Sequence, residues 1–127
     1  MTTVSGMSET RSEIIWYLMV EVLLFTFAAL VHGGIVMPGH EHATAAMAET
    51  IIAIILAAGL IMSFVSPAQT RIVALITQGL ALAGVIVGLI MIAIGIGPRT
   101  IRDLLVHAIM LITLVLGLIV AKRGMPT

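Results

Sequence analysis

The sequence predicts an all-α integral membrane protein, a four-helix bundle with short loops and both termini in the cytoplasm. Three observations carry this expectation. Mean hydropathy is +1.25, with 61% hydrophobic and only 9% charged residues. A chain of 127 residues has too much surface for its volume to hide that much apolar sequence in a water-soluble core. The apolar residues also fall into four runs, each close to or above the roughly 20 residues a helix needs to cross the hydrocarbon layer. Backbone N–H and C=O groups cannot stay unpaired in hydrocarbon, so these runs must be helices. The alternating pattern of a membrane barrel strand is missing.

Each helix has its own signals, and together they make residues 1–127 one domain. The first helix is expected over 13–34, capped by Ser12, with Trp16 and Tyr17 as interfacial anchors. Its apolar run is too long for a signal-peptide core and lacks a small-residue cleavage site, so it is expected to be retained. Gly33-Gly34 weakens its end, and Met37-Pro38-Gly39 makes a turn. The second helix is expected over 43–65. Ser66-Pro67 stops it, because a residue before proline avoids the helical region. The third is expected over 69–96, ending in Gly95, Gly97 and Pro98. The fourth is expected over 100–121, closed at the interface by Lys122 and Arg123.

Orientation follows from Lys and Arg in the short loops. Arg11, Arg71, Lys122 and Arg123 fall on the side shared by the termini, and Arg99 and Arg102 fall on the other. This favours a multi-pass protein of the cell (inner) membrane with cytoplasmic termini and an outward first loop, 35–42.

Composition removes several function classes. The chain has no cysteine, which excludes disulfides, thiolate metal sites and Cys nucleophiles. The formal net charge is zero and no basic run could track a nucleic acid, so no nucleic-acid partner is expected. No nucleophile–base pair, phosphate loop or metalloprotease motif is present, so the expectation leans away from an enzyme. The expected partners are the lipid bilayer and either further copies of the chain or a larger membrane complex. Helix three supports close packing through a small-residue stripe that includes the GxxxG pair Gly84 and Gly88.

Polar residues inside apolar runs are the informative ones. His32, His40, His42, Glu49, Asp103 and His107 all map to the outer side of the bundle. Helices one, two and four each bring a histidine there. Imidazole suits zinc, copper and iron, and carboxylates complete or orient the shell. His32, His42 and His107 are therefore candidate cofactor ligands, with haem b, copper or zinc as candidate groups. His40 and Glu49 are further candidate metal ligands, and Met37 and Met47 are soft donors suited to copper(I). Asp103, one turn before His107, is placed to accept a hydrogen bond from an imidazole. His40 and His42 also fit a plain solvated turn.

A second centre lies deeper. Glu21 falls near the middle of helix one, where a carboxylate costs several kcal/mol unless paired or protonated. His32 lies about three turns further along the same face. Gln78 in helix three falls at a similar depth and is the expected partner of Glu21. Such a pair either glues two helices or marks a proton or transport path.

The chain's size, its four spans and the Glu21-Val22 turn resemble the small multidrug resistance transporters. Members of that family carry an essential membrane-embedded Glu in their first helix. The resemblance covers little more than that turn. The outer histidines and the scarcity of aromatic residues depart from the family's pattern. In helix count and in having histidines within spans, the chain also resembles four-helix membrane cytochromes, at the level of architecture. Three functions follow as expectations. The leading one is an outer cofactor site for electron transfer or metal handling. The others are a proton-coupled transporter or channel built on Glu21, and a structural membrane subunit.

Overall fold

The computed structural model describes residues 2–123, and their side chains from residue 6 onward. Four helices run up and down: α1 (Thr2–His32), α2 (Ala43–Val65), α3 (Thr70–Ala93) and α4 (Ile101–Lys122). A single 3-10 turn, Pro67–Gln69, links α2 to α3, and no strand occurs among the described residues. All four helices are long and apolar enough to span a membrane. Each of α1 and α3 packs against both α2 and α4, and the two also meet across the diagonal of the bundle.

The ends of α1 differ from expectation. The helix begins at Thr2, so Ser12 lies inside it and caps nothing. No proline interrupts the polar first turns. At 1.5 Å per residue the 31 residues extend about 46 Å, well beyond a hydrocarbon layer of about 30 Å. The polar turns at its start therefore stand clear of that layer. Arg11 ties this part of α1 to α2 by donating from Nη2 to the Ser63 carbonyl at 2.9 Å. At the other end α1 stops at His32, because Gly34 turns left-handed at φ 74°. This positive φ favours glycine, and a Cβ there would also crowd the exposed Glu41 side chain at 2.7 Å. The His42 amide then donates to the His32 carbonyl at 2.8 Å and closes the loop.

α3 stops at Ala93, short of the expected 96. Gly95, at φ 86°, turns the chain so that the amides of Ile96 and Gly97 both reach the Met91 carbonyl. α4 starts with a capping box between Thr100 and Asp103.

The core is a column of Ile14, Leu18, Phe25, Leu56, Met110 and Leu114, all buried. Leu23, Ile54, Ile76 and Ile112 are exposed on the outside, as lipid-facing positions should be. Small residues set the helix spacing, because apolar lipid offers little hydrophobic drive between helices. Ala74, Ala81 and Ala121 are fully buried. Gly59 of α2 receives Thr77 of α3, and a Cβ there would lie 2.6 Å from Thr77 Oγ1. The GxxxG pair also faces inward. A Cβ on Gly84 would meet Ile52, and one on Gly88 would meet His107. Both glycines thus serve packing within the chain.

Gly59→Ala should lower stability by about 1–3 kcal/mol, because the α2–α3 backbones must separate. Gly79→Ala has open space around the new methyl group and should be neutral or slightly stabilising. Thermal unfolding in detergent would show the contrast, and equal effects of the two would refute the close α2–α3 contact.

Candidate functional site

The bundle holds two buried polar centres. The outer one is built on His32 at the last turn of α1, 5% exposed. Its Nδ1 lies 2.8 and 3.0 Å from the two carboxylate oxygens of Glu49 on α2. Its Nε2 lies 3.1 Å from Oδ1 of Asp103 on α4. One imidazole thus bridges two carboxylates from two different helices.

That geometry constrains the protons. A neutral imidazole donates from one nitrogen and accepts at the other. Both contacts are hydrogen bonds in only two ways. Either His32 is an imidazolium between two carboxylates, or it is neutral with one carboxyl group protonated and donating to it. These states contain the same number of protons and differ only in which atom holds one.

Asp103 is held from behind. Its Oδ2 accepts from the Thr100 amide at 2.9 Å and from the Thr100 hydroxyl. Its carbonyl accepts from Nδ1 of His107 at 2.7 Å. The expected bond from an imidazole to Asp103 therefore exists, but the imidazole on its carboxylate is His32. His107 takes the backbone carbonyl one turn earlier instead, because the capping box turns the Asp103 carboxylate toward the helix start. Thr100 escaped the sequence reading, although its Thr-x-x-Asp spacing is a recognised cap signal.

His42 is the N-cap of α2. Its Nδ1 accepts from the Ala45 amide at 3.2 Å, which obliges Nε2 to carry the proton that reaches the Ile96 carbonyl at 3.3 Å. The rings of His32 and His42 sit edge to face, 6.4 Å apart. His40 lines a cavity between α1 and α4 with Met37, His32, Asp103 and His107, and its Nδ1 is buried without a partner. Met47 is exposed on the outer surface of α2. Glu41 stays outside the cluster. Its carboxylate accepts from the Gly39 amide at 3.0 Å, which holds its pKa below the ordinary value.

The candidate ligands thus gather at one end, as expected, but as hydrogen-bonding groups. Among the described residues no three His, Asp or Glu side chains are arranged to hold a metal ion. Both nitrogens of His32 face carboxylates, and both nitrogens of His42 face backbone groups.

The inner centre is the expected Glu21–Gln78 pair. Both residues are fully buried. Gln78 Nε2 donates to both Glu21 oxygens at 3.0 Å, and Gln78 Oε1 is left buried without a partner. Gly117 of α4 makes the room. A Cβ there would stand 2.7 Å from Glu21 Oε1 and would also collide with Gln78 Nε2. Gly117 was not singled out from sequence, because a lone glycine late in an apolar helix carries no signal of its own. Phe25, between Glu21 and His32 along α1, and Met110, between Asp103 and Gly117 along α4, are both buried.

A double-mutant cycle over His32→Phe and Glu49→Leu should give a coupling of about 1–2 kcal/mol, at the upper end for side-chain bonds in membranes. A cycle pairing His32 with the surface residue Glu41 should give about zero. Coupling of similar size in both would mean that the His32 bridge does not form.

No family model, curated protein or solved structure matches this chain. Function is therefore read from the site's own chemistry.

Proposed function

We infer that this small multi-pass membrane protein moves protons, with the Glu49–His32–Asp103 bridge and the Glu21–Gln78 pair as two stations of a proton-coupled transporter or channel. The observation that carries this is the His32 bridge. A buried imidazole with a carboxylate on each nitrogen can take a proton on one side and release it on the other, and Asp/Glu/His chains in membranes are the usual form of a proton relay. Glu21 supports the same reading. It is a second protonatable group on the same face of α1, eleven residues and about 16 Å from His32. Buried Phe25 and Met110 fall between the stations along α1 and α4, and in this reading a proton that crosses waits for them to move apart. Such a barrier suits coupled transport better than an open pore.

A haem or transition metal would draw on the same imidazoles. At His32 it would have to displace a carboxylate that already lies within 3.1 Å. The proton reading uses the groups as they stand.

The proposed orientation places the relay outward in the cell membrane and the termini in the cytoplasm. The topology puts Arg11, Arg71, Lys122 and Arg123 at the end shared by the termini, and Arg99 and Arg102 at the other.

Protein reconstituted in liposomes with a pH-sensitive dye inside should carry proton flux. Glu21→Gln and His32→Phe should each reduce it at least tenfold, and Phe25→Ala should raise the leak. Flux unchanged in both of the first two variants would rule the relay out. The absence of native cysteine allows a direct test of orientation. Glu41→Cys should label with an impermeant maleimide on intact cells, and Thr10→Cys should label only after lysis. The reverse pattern would invert the topology.

A further inference from the structure

Beside the relay, and sharing Glu49, Phe25 and Met110 with it, lies an apolar cavity of about 200 Å³ between the outer halves of α2 and α3. Its walls include Phe25, Ile52, Val85, Met91, Ile92 and Met110. Its polar lining is Glu49 and His107, from the outer centre, and His42 and Thr44 at the start of α2. Its rim is formed by Ala48 on α2 and by Val87 and Met91 on α3, all exposed where lipid would lie.

The tautomer of His107 decides what this cavity presents. Nδ1 faces the Asp103 carbonyl, an acceptor, so Nδ1 carries a proton. In the neutral ring Nε2 is then a bare lone pair. Among the described residues no group hydrogen-bonds to Nε2. Gly88 keeps it accessible, since a Cβ there would stand 3.3 Å from that nitrogen. Glu49 gives its oxygens to His32 but has about four lone-pair sites and so retains spare acceptor capacity. His42, also in the lining, commits its Nε2 proton to the Ile96 carbonyl, so beside Gly88 the uncommitted polar groups, His107 Nε2 and the Glu49 carboxylate, are acceptors and ask for a donor.

Size and lining narrow the occupant further. A dry cavity of about 150 Å³ accepts benzene. About 200 Å³ therefore takes one ring with small substituents. Methionine sulfur and a phenyl ring are favourable neighbours for an aromatic ring. The opening toward lipid leaves room for a tail.

We propose that this cavity binds a lipid-tailed hydroquinone, with one ring hydroxyl donating to His107 Nε2 or the Glu49 carboxylate, the ring between α2 and α3, and the tail in the bilayer. The oxidised quinone offers only acceptors to the same acceptors, so the site discriminates in favour of the reduced form. The proposal concerns binding alone and involves no electron transfer. It does not depend on proton movement. Binding without flux would leave it standing and remove the relay, and flux without binding would do the reverse.

The test uses the full chain in lipid nanodiscs, with 2-decyl-1,4-hydroquinone held reduced by ascorbate, and empty nanodiscs as the partition blank. Titration calorimetry and saturation-transfer NMR should show saturable binding near one per chain. 2-Decyl-1,4-benzoquinone should bind at least tenfold more weakly, and decylbenzene should show no saturable binding. Val87→Trp, which plugs the rim from the lipid side without touching the core, should abolish binding. Leu23→Trp, on the lipid face of α1, should leave it unchanged. His107→Phe should weaken the hydroquinone at least tenfold. Equal binding of hydroquinone and decylbenzene, binding insensitive to Val87→Trp, or no saturable binding at all would each overturn the proposal.

Discussion

The outer half of this bundle depends on one contact, the His32 imidazole held between Glu49 and Asp103. Lipid gives helices little reason to associate through apolar faces alone. A buried polar group, in contrast, must find partners in protein because no water is at hand. His32 finds one on α2 and one on α4, so a single ring sets the distance among three helices. Everything near it follows. The first loop folds back so that the His42 amide meets the His32 carbonyl. Asp103 serves at once in the capping box of α4 and as partner of His32.

The Glu21–Gln78 pair plays the corresponding part deeper in the membrane, where it joins the diagonal helices α1 and α3. Its cost differs in kind. The outer bridge satisfies both ring nitrogens, but the inner pair leaves Gln78 Oε1 with no donor. A carboxylate accepting from an amide is only one of the arrangements open to these two groups. A protonated Glu21 facing a rotated amide would pair the orphaned oxygen as well. At the inner centre, too, a change of protonation changes which hydrogen bonds can be made.

Much of the fold was legible in the sequence because hydrocarbon imposes it. Hydropathy alone placed four helices, and the break at Ser66-Pro67 and the glycines around Gly95 marked their ends within a few residues. Membership of the candidate site was legible for a related reason. Strongly polar residues are so few in these runs that Glu21, His32, Glu49, Gln78, Asp103 and His107 stood out, and the structure buries all but Asp103 below a tenth of their surface. Where sequence reasoning went astray, the cause is local. The start of α1 was set at Ser12 because the polar turns before it look like a tail. In water, a helix continues through such residues when nothing breaks it and when a residue such as Arg11 anchors it.

Sequence by itself determined the class, the number of spans, the two depths at which polar groups gather, and the identity of nearly every group in them. Tertiary structure alone decided the pairing at the outer centre. Spacing along a helix tells which residues share a face, but not which neighbouring helix that face meets or how a ring is turned. Asp103 was one turn from His107 in sequence, yet its carboxylate meets His32 from another helix, because the cap at Thr100 directs it there. The same holds for Gly88 and Gly117, whose missing side chains matter only because His107, Gln78 and Glu21 occupy the space beside them.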